Sequence, residues 1–168
     1  MTPLTAPTPL GPDHLTSAFD SGERSLDDWL KKRALRNNAS GASRCFVVCT
    51  GLTVVGFYSL SASAISRETV PKGLARNMPD PLPALLLGRL AVDSSRHNQG
   101  LGRALLRDAM IRAAHLSQET GVALILLHAI SEPAKQFYLS RGFVISPIQP
   151  MTLMMSLATV RQILVEVP

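Results

Sequence analysis

Leu85-Leu-Leu-Gly-Arg-Leu-Ala-Val-Asp93, then Ser94 and Ser95, then Arg96-His-Asn-Gln-Gly-Leu-Gly-Arg-Ala-Leu105 is the most informative stretch of the chain. Leu85 to Val92 reads as a buried strand, with Gly88 marking a bulge or a close backbone approach. Leu105, Ala109, Ala113 and Leu116 then recur at helical spacing, so a helix runs to about Ser117. A strand, a glycine-bearing turn and a helix start make a physical anion site. The first backbone N–H groups of a helix lack acceptors and sit at the positive end of its dipole. Gly100-x-Gly102 lacks the Lys-Ser/Thr of a P-loop and the third glycine of a dinucleotide fingerprint.

Outward from this stretch, the pattern is a layered α/β protein. Upstream, Phe19 to Asn37 reads as a helix with the apolar stripe Leu26, Trp29, Leu30 and Ala34. Ser25-Leu-Asp-Asp28 resembles a capping box at its start. Cys45 to Cys49 and Thr53 to Leu60 are β-rich runs joined by Thr50, Gly51 and Leu52, a hairpin pattern. Pro79, Pro81 and Pro83 disfavour helix before the Leu85 strand. Downstream, Val122 to Ala129 reads as a second buried strand. Ser131 caps a short helix with Pro133 in its first turn, and Gly142 stops it. Phe143 to Ser146 and Thr152 to Leu157 read as strands, and Ala158 to Val165 as a helix. Residues 1–12, rich in Thr and Pro, read as a loose start to a single domain spanning 1–168.

Composition narrows the function classes. The 168 residues suit one domain with a full core. The longest apolar run, Val122 to Leu127, is too short to span a membrane. No secretory pattern opens the chain. With only Cys45 and Cys49, placed to face one side of a strand, a reducing cytoplasm is expected and a disulfide scaffold is excluded. His14, His97, His115 and His128 fall at no ligand spacing, so no metal site is expected. His128, ending a strand, reads as a satisfied core or rim residue. Lys31, Lys32, Arg33, Arg36 and Arg44 bring five positive charges and no negative one, equal to the net charge of +5. Such a segment fits a polyanionic partner or an ordinary solvated face.

The run Leu90-Ala-Val-Asp93, three residues, His97-Asn-Gln-Gly-Leu-Gly102 resembles motif A of the GNAT N-acetyltransferases, Gln/Arg-x-x-Gly-x-Gly/Ala, with His97 in the first place. Phe137-Tyr-Leu-Ser-Arg-Gly-Phe143 resembles that family's helix-to-strand signature. Four further stretches narrow the likeness to the GNAT toxins of type II toxin–antitoxin systems: Phe19-Asp-Ser-Gly with Leu26 to Leu30, Arg44 to Val48, Gly56 to Leu60 and Leu85 to Asp93. The likeness runs from about residue 10 to 165.

This resemblance implies a GNAT-like mixed, mostly antiparallel central sheet flanked by helices. It implies acetyl-CoA as co-substrate, with the pyrophosphate on the loop of His97, Asn98, Gln99, Gly100, Leu101, Gly102, Arg103 and Ala104. Amides of Gln99 through Ala104 would form the cradle, and the backbone at Leu90, Ala91 and Val92 would pair with the pantetheine arm. Tyr138 stands where the family often places its general acid. The resemblance also implies acetylation of the α-amine of aminoacyl-tRNA, blocked translation, a ribbon-helix-helix antitoxin through which alone the chain meets DNA, and a homodimer. The basic segment then has a use. Lys31, Lys32, Arg33, Arg36 and Arg44, with Arg76 and Arg89, are candidates for tRNA phosphate contacts. A GNAT acting on a small amine or a protein N-terminus is the enzymatic alternative. A non-catalytic acyl-CoA-binding protein is the other, and the joint presence of Gly100-x-Gly102 and Tyr138 argues against it.

Overall fold

A computed structural model describes residues 3–166. It contains seven strands in the order β1-β2-β3-β4-β5-β7-β6. They are β1 (Thr8–Pro9), β2 (Arg44–Thr50), β3 (Thr53–Ile65), β4 (Leu82–Val92), β5 (Leu124–His128), β6 (Val144–Ile145) and β7 (Thr152–Ser156). The helices are α1 (Arg24–Lys32), α2 (Ala34–Ser40), α3 (Lys72–Ala75), α4 (Leu101–Leu116), α5 (Glu132–Ser140) and α6 (Leu157–Glu166). The β1–β2, β2–β3, β5–β7 and β6–β7 pairs are antiparallel, and β4–β5 is parallel. This is the mixed, mostly antiparallel sheet flanked by helices that the family resemblance implies. Among the described residues no helix is long and apolar enough to cross a membrane.

The chain divides into two compact units, residues 1–61 with 87–109, and residues 62–86 with 110–168. In the first, alternation along β2 sorts the side chains. Cys45, Val47 and Cys49 join Phe57 of β3, Trp29 and Leu30 of α1 and Ala91 of β4 in one cluster. Trp29 stacks on Phe57, and Phe19 meets that ring edge-on. On the other parity Phe46 stacks on Tyr58, whose hydroxyl donates to Asp108 of α4. The hairpin forms as read, with Gly51 in its turn.

Three local expectations change. Residues 3–12 are not loose: β1 pairs with the outer edge of β2, Thr5 N donates to Cys49 O and Leu10 N to Cys45 O. The burial of Leu10 anchors this segment, and an edge strand tolerates its prolines. Met1 and Thr2 lie outside the described residues. The expected capping box at Ser25 does not form. The helix begins at Arg24, after the expected start at Phe19, with Glu23 as its N-cap, and the Asp27 carboxylate accepts from Ser21 Oγ at 2.6 Å and from Ser21 N. The helix read as continuous to Asn37 breaks at Arg33, and α2 continues to Ser40.

In the second unit Ile65, Val70, Ala75, Leu82, Ala84, Leu124, Leu126 and Met154 form one cluster. Here α3 and the 3-10 turn Arg67–Thr69 occupy the stretch read as irregular. Parallel pairing of β4 with β5 covers Ala84↔Leu124 to Leu86↔Leu126. Leu87 to Val92 of β4 run on beyond that paired stretch.

Candidate active site

In the first unit the loop between β4 and α4 is held by polar ties. Asp93 caps the 3-10 turn Ser94–Arg96: its carboxylate accepts from Ser95 N at 3.1 Å, Ser95 Oγ at 2.6 Å and Asp20 N at 2.8 Å. Asp93 N donates to Val55 O and Ser94 N to Asp20 O, both at 2.8 Å. Burial pushes the Asp93 carboxyl up, but the hydrogen bonds from Ser95 and Asp20, helped by His97, hold it below the usual carboxylate range. The His97 ring meets Val92 O through Nε2 at 2.7 Å, so this side chain ties the loop to the end of β4. Sequence reading left Asp93 without a role; its signal was a carboxylate one residue before a Ser-Ser turn.

Asn98 and Gly100 turn the backbone through the left-handed region, with φ of 62° and 82°. Space is open around Gly100, so only its backbone conformation favours glycine. The chain then enters α4 at Leu101. The first-turn amides of Leu101, Gly102 and Arg103 have no acceptor within the helix. Ala104 differs from its neighbours: its N–H donates to Gly100 O at 3.1 Å, closing the first helical turn, so the run of amides without a helical acceptor ends at Arg103. Beneath this turn, Gly56 lets Leu101 and Leu105 sit against β3. A Cβ there would lie 3.1 Å from Leu105 Cδ1 and 3.2 Å from Leu101 Cδ2.

Among the residues proposed to hold the pantetheine arm, Leu90 and Val92 are half-buried and Ala91 belongs to the α1 cluster. Arg89, on the same strand, lies over the Trp29 ring with its guanidinium carbon 4.2 Å from the centroid. Burial lowers the Arg89 pKa, and burial pushes the neighbouring Cys45 thiol up to about 12 against the opposing pull of Arg89. Arg89 is thus a half-buried packing cation.

The basic segment remains at the surface. Lys31, Lys32, Arg33 and Arg36 are exposed on α1, α2 and their junction, and Arg44, also exposed, donates to Asn38 O. Lys32 lies 3.9 Å from Asp28, a solvated pair of little energetic weight. Arg76 belongs to the second unit, just past α3. The seven proposed tRNA contacts therefore separate into an exposed group of five, one cation packed on an indole, and one arginine in the other unit.

Also in the second unit, Ser131 Oγ caps α5 by accepting from Ala134 N at 3.2 Å. The helix places Tyr138 between Phe137 and Phe143, with ring centroids 5.1 and 5.5 Å away, both edge-on. Tyr138 is only 8% exposed, and its hydroxyl makes no hydrogen bond among the described residues. Burial raises its pKa well above the usual phenol, so it holds its proton throughout the physiological range. That is the protonation state a general acid needs. His128, at the exposed end of β5, meets Thr152 Oγ1 through Nδ1 at 3.0 Å, a rim residue as read.

Known proteins resemble this chain along nearly its whole length. The family profile described as "Acetyltransferase (GNAT) domain" matches residues 41–145. The tRNA-acetylating toxin of Mycobacterium tuberculosis (strain ATCC 25618 / H37Rv) is 43% identical over 164 residues, covering 98% of this chain and 99% of that protein. The structure of AtaT complexed with acetyl-methionyl-tRNAfMet superimposes with a TM-score of 0.89 at 27% identity, covering 96% of this chain and 99% of that one. A tyrosine-to-phenylalanine mutant of the AtaT toxin, bound to the C-terminus of the antitoxin AtaR and to acetyl-CoA, gives a TM-score of 0.84 at 26% identity, covering 97% and 99% of the two chains.

Proposed function

The chain belongs to the GNAT acetyltransferase family, and from that premise we propose that it transfers the acetyl group of acetyl-CoA to the α-amine of an aminoacyl-tRNA, stopping translation. The observation that carries this reading is near-full-length identity of 43% to a tRNA-acetylating toxin. The loop geometry supports it independently, since a row of helix N-terminal amides after a left-handed glycine is suited to a pyrophosphate.

In this reading Gln99, Gly100, Leu101, Gly102 and Arg103 hold the pyrophosphate through their amides, with His97 and Asn98 shaping the loop. The backbone of Leu90, Ala91 and Val92 aligns the pantetheine arm, and a backbone N–H near Val92 polarises the thioester carbonyl. The amine nitrogen attacks the carbonyl carbon, the carbon–sulfur bond breaks, and the Tyr138 phenol gives its proton to the departing thiolate. The proton shed by the amine restores the phenol. An α-amine suits a site with no base on β4. At pH 7 it is about 17% neutral, against roughly 0.04% for a lysine side chain.

Lys31, Lys32, Arg33, Arg36 and Arg44 contribute phosphate contacts to the tRNA. The whole chain acts as one GNAT domain, as a homodimer, in the cytoplasm where charged tRNA is found. A ribbon-helix-helix antitoxin is its neutralising partner, and DNA is reached only through that complex. The test uses labelled acetyl-CoA with total tRNA, charged or deacylated. Label is expected on charged tRNA alone, lost when the ester is hydrolysed. Bound acetyl-CoA with no label on any tRNA would overturn the reading in favour of a small-amine or protein acceptor.

A further inference from the structure

In sequence, Arg76 stands apart from the Lys31 to Arg44 segment. The structure supplies them in the second unit. A groove of about 890 Å³ runs beside α3, with Arg67, Lys72 and Arg76 on its lining. Glu68 is the one acid there, so the lining carries a net charge of +2 (three cations less one anion). Among the described residues no carboxylate lies within 4.0 Å of any of the three cations. The wall is built before any ligand arrives. Arg67 N donates to Asp80 Oδ1 at 3.1 Å, its guanidinium donates to Met78 O, and Ser66 and Thr69 hydroxyls meet at 2.8 Å. Pro147 and Ile148 line another part of the groove, and Ile148 is 57% exposed.

We propose that this groove is a second nucleic-acid contact, in which Arg67, Lys72 and Arg76 follow the phosphodiester backbone of the tRNA. It rests on the tRNA reading above and extends it to a surface outside the Lys31 to Arg44 segment. The spacing favours a nucleic acid over an acidic peptide. Lys72 and Arg76 stand about one helical turn apart, with Arg67 on the preceding turn. A row of cations without carboxylate partners suits a polymer charged at every step, whereas peptide carboxylates fall singly. The lining contains no aromatic ring on which a base would stack. The contacts are therefore to phosphates, with Pro147 and Ile148 offering an apolar surface to sugar or base edges. Phosphate contacts position a nucleic acid without reading its sequence, so the groove adds affinity equally across isoacceptors.

The test measures binding of end-labelled, deacylated total tRNA by the intact protein across a salt series, alongside acetylation of charged tRNA. Arg67 stays in place because it supports the turn. The double variant Lys72→Glu/Arg76→Glu, with unchanged melting temperature and acetyl-CoA affinity, is expected to bind tRNA roughly 10-fold or more weakly. Its log–log salt slope should be shallower by about 1.5, the release expected for two phosphate contacts. KM for charged tRNA should rise in proportion across isoacceptors. The charge-conserving pair Lys72→Arg/Arg76→Lys should stay within about twofold of the parent. A parent that acetylates charged tRNA beside a charge-reversed variant with the same affinity and slope would overturn the groove and leave the tRNA reading standing. Retained tRNA binding with lost binding of a leucine-rich acidic peptide would reassign the groove to a protein partner. A parent that neither binds nor acetylates tRNA would overturn both, and the parent assay alone distinguishes that case.

Discussion

At the loop after β4, Asp93 accepts three hydrogen bonds, His97 ties back to Val92, and Gly100 turns through the left-handed region, so the groups left facing outward are main-chain amides. At α5 the arrangement is reversed. Tyr138 is wedged between two aromatic edges, makes no hydrogen bond among the described residues, and offers one side-chain hydroxyl. On the proposed reading the loop should tolerate changes in its outward side chains and depend on the groups that set its backbone. The helix should tolerate changes in polar framing and depend on one oxygen. A substitution should thus act on acetyl-CoA affinity in the first region and on turnover in the second.

The largest effect is expected at Tyr138. Tyr138→Phe keeps the ring and its two edge contacts and removes only the unpaired hydroxyl. Turnover should fall by roughly 10²- to 10⁴-fold, the range of a positioned acid. Acetyl-CoA affinity and melting temperature should stay at parental values, measured by calorimetry and thermal unfolding. The pH profile sharpens the point. Because burial raises the native pKa above that of an exposed phenol, the acid form and its share of stability are complete below about pH 10 and are lost as pH rises through the higher native value. The parent's turnover should accordingly show no alkaline fall at an ordinary phenol pKa. Unchanged turnover in the variant would remove Tyr138 as the acid.

A smaller and opposite pattern is expected at Asp93. Asp93→Ala strands Ser95 N and Asp20 N and frees the turn that precedes the amides. Acetyl-CoA should bind roughly 10-fold more weakly, with about 1–2 kcal/mol lost from stability and turnover at saturation little changed. Here the native carboxyl pKa is lowered, so the contribution is present above the unfolded value near 4 and is lost only as pH falls through the lower native one. Titrating acetyl-CoA affinity between pH 7 and 5 should therefore show no loosening from this group. A turnover defect with intact affinity would erase the contrast between the two regions.

The same contrast explains what was legible beforehand. Glycine at a left-handed turn, the alternation Cys45, Val47, Cys49 and the stripe Trp29, Leu30 are local rules, and the strands, helices and glycine loop follow from them. What escaped was set by partners distant in sequence. Residues 3–12 look loose until β2 supplies an edge, and Arg89 looks like a free cation until Trp29 lies beneath it. Asp93 looks unassigned until Asp20, 73 residues earlier, donates to it. Ala104 reads like its neighbours because sequence shows where a helix begins only to within a residue or two, and one residue decides whether an amide is free. Arg67 and Lys72 carried no motif at all, since a groove is a property of surfaces and not of spacing.

Gly56 tests whether apolar packing also sets the loop. It lies on β3, outside the stretch that carries the amides, and its backbone angles are ordinary for any residue. An added methyl would meet the tips of Leu101 and Leu105 at 3.2 and 3.1 Å, closer than relaxed carbon contacts. Both tips belong to flexible side chains, but both side chains are buried, so the strain is shared with the first turn of α4. Gly56→Ala should cost about 1 kcal/mol, at the low end for an overfilled core, and lift Leu101 slightly from the sheet. Acetyl-CoA affinity should then fall about two- to threefold, since Leu101 N–H is among the amides proposed to hold the pyrophosphate and a shift of this size strains one hydrogen bond without removing it. Tyr138 and turnover at saturation should be untouched. Full affinity in Gly56→Ala, beside a loss in Asp93→Ala, would assign the cradle's geometry to the polar ties alone.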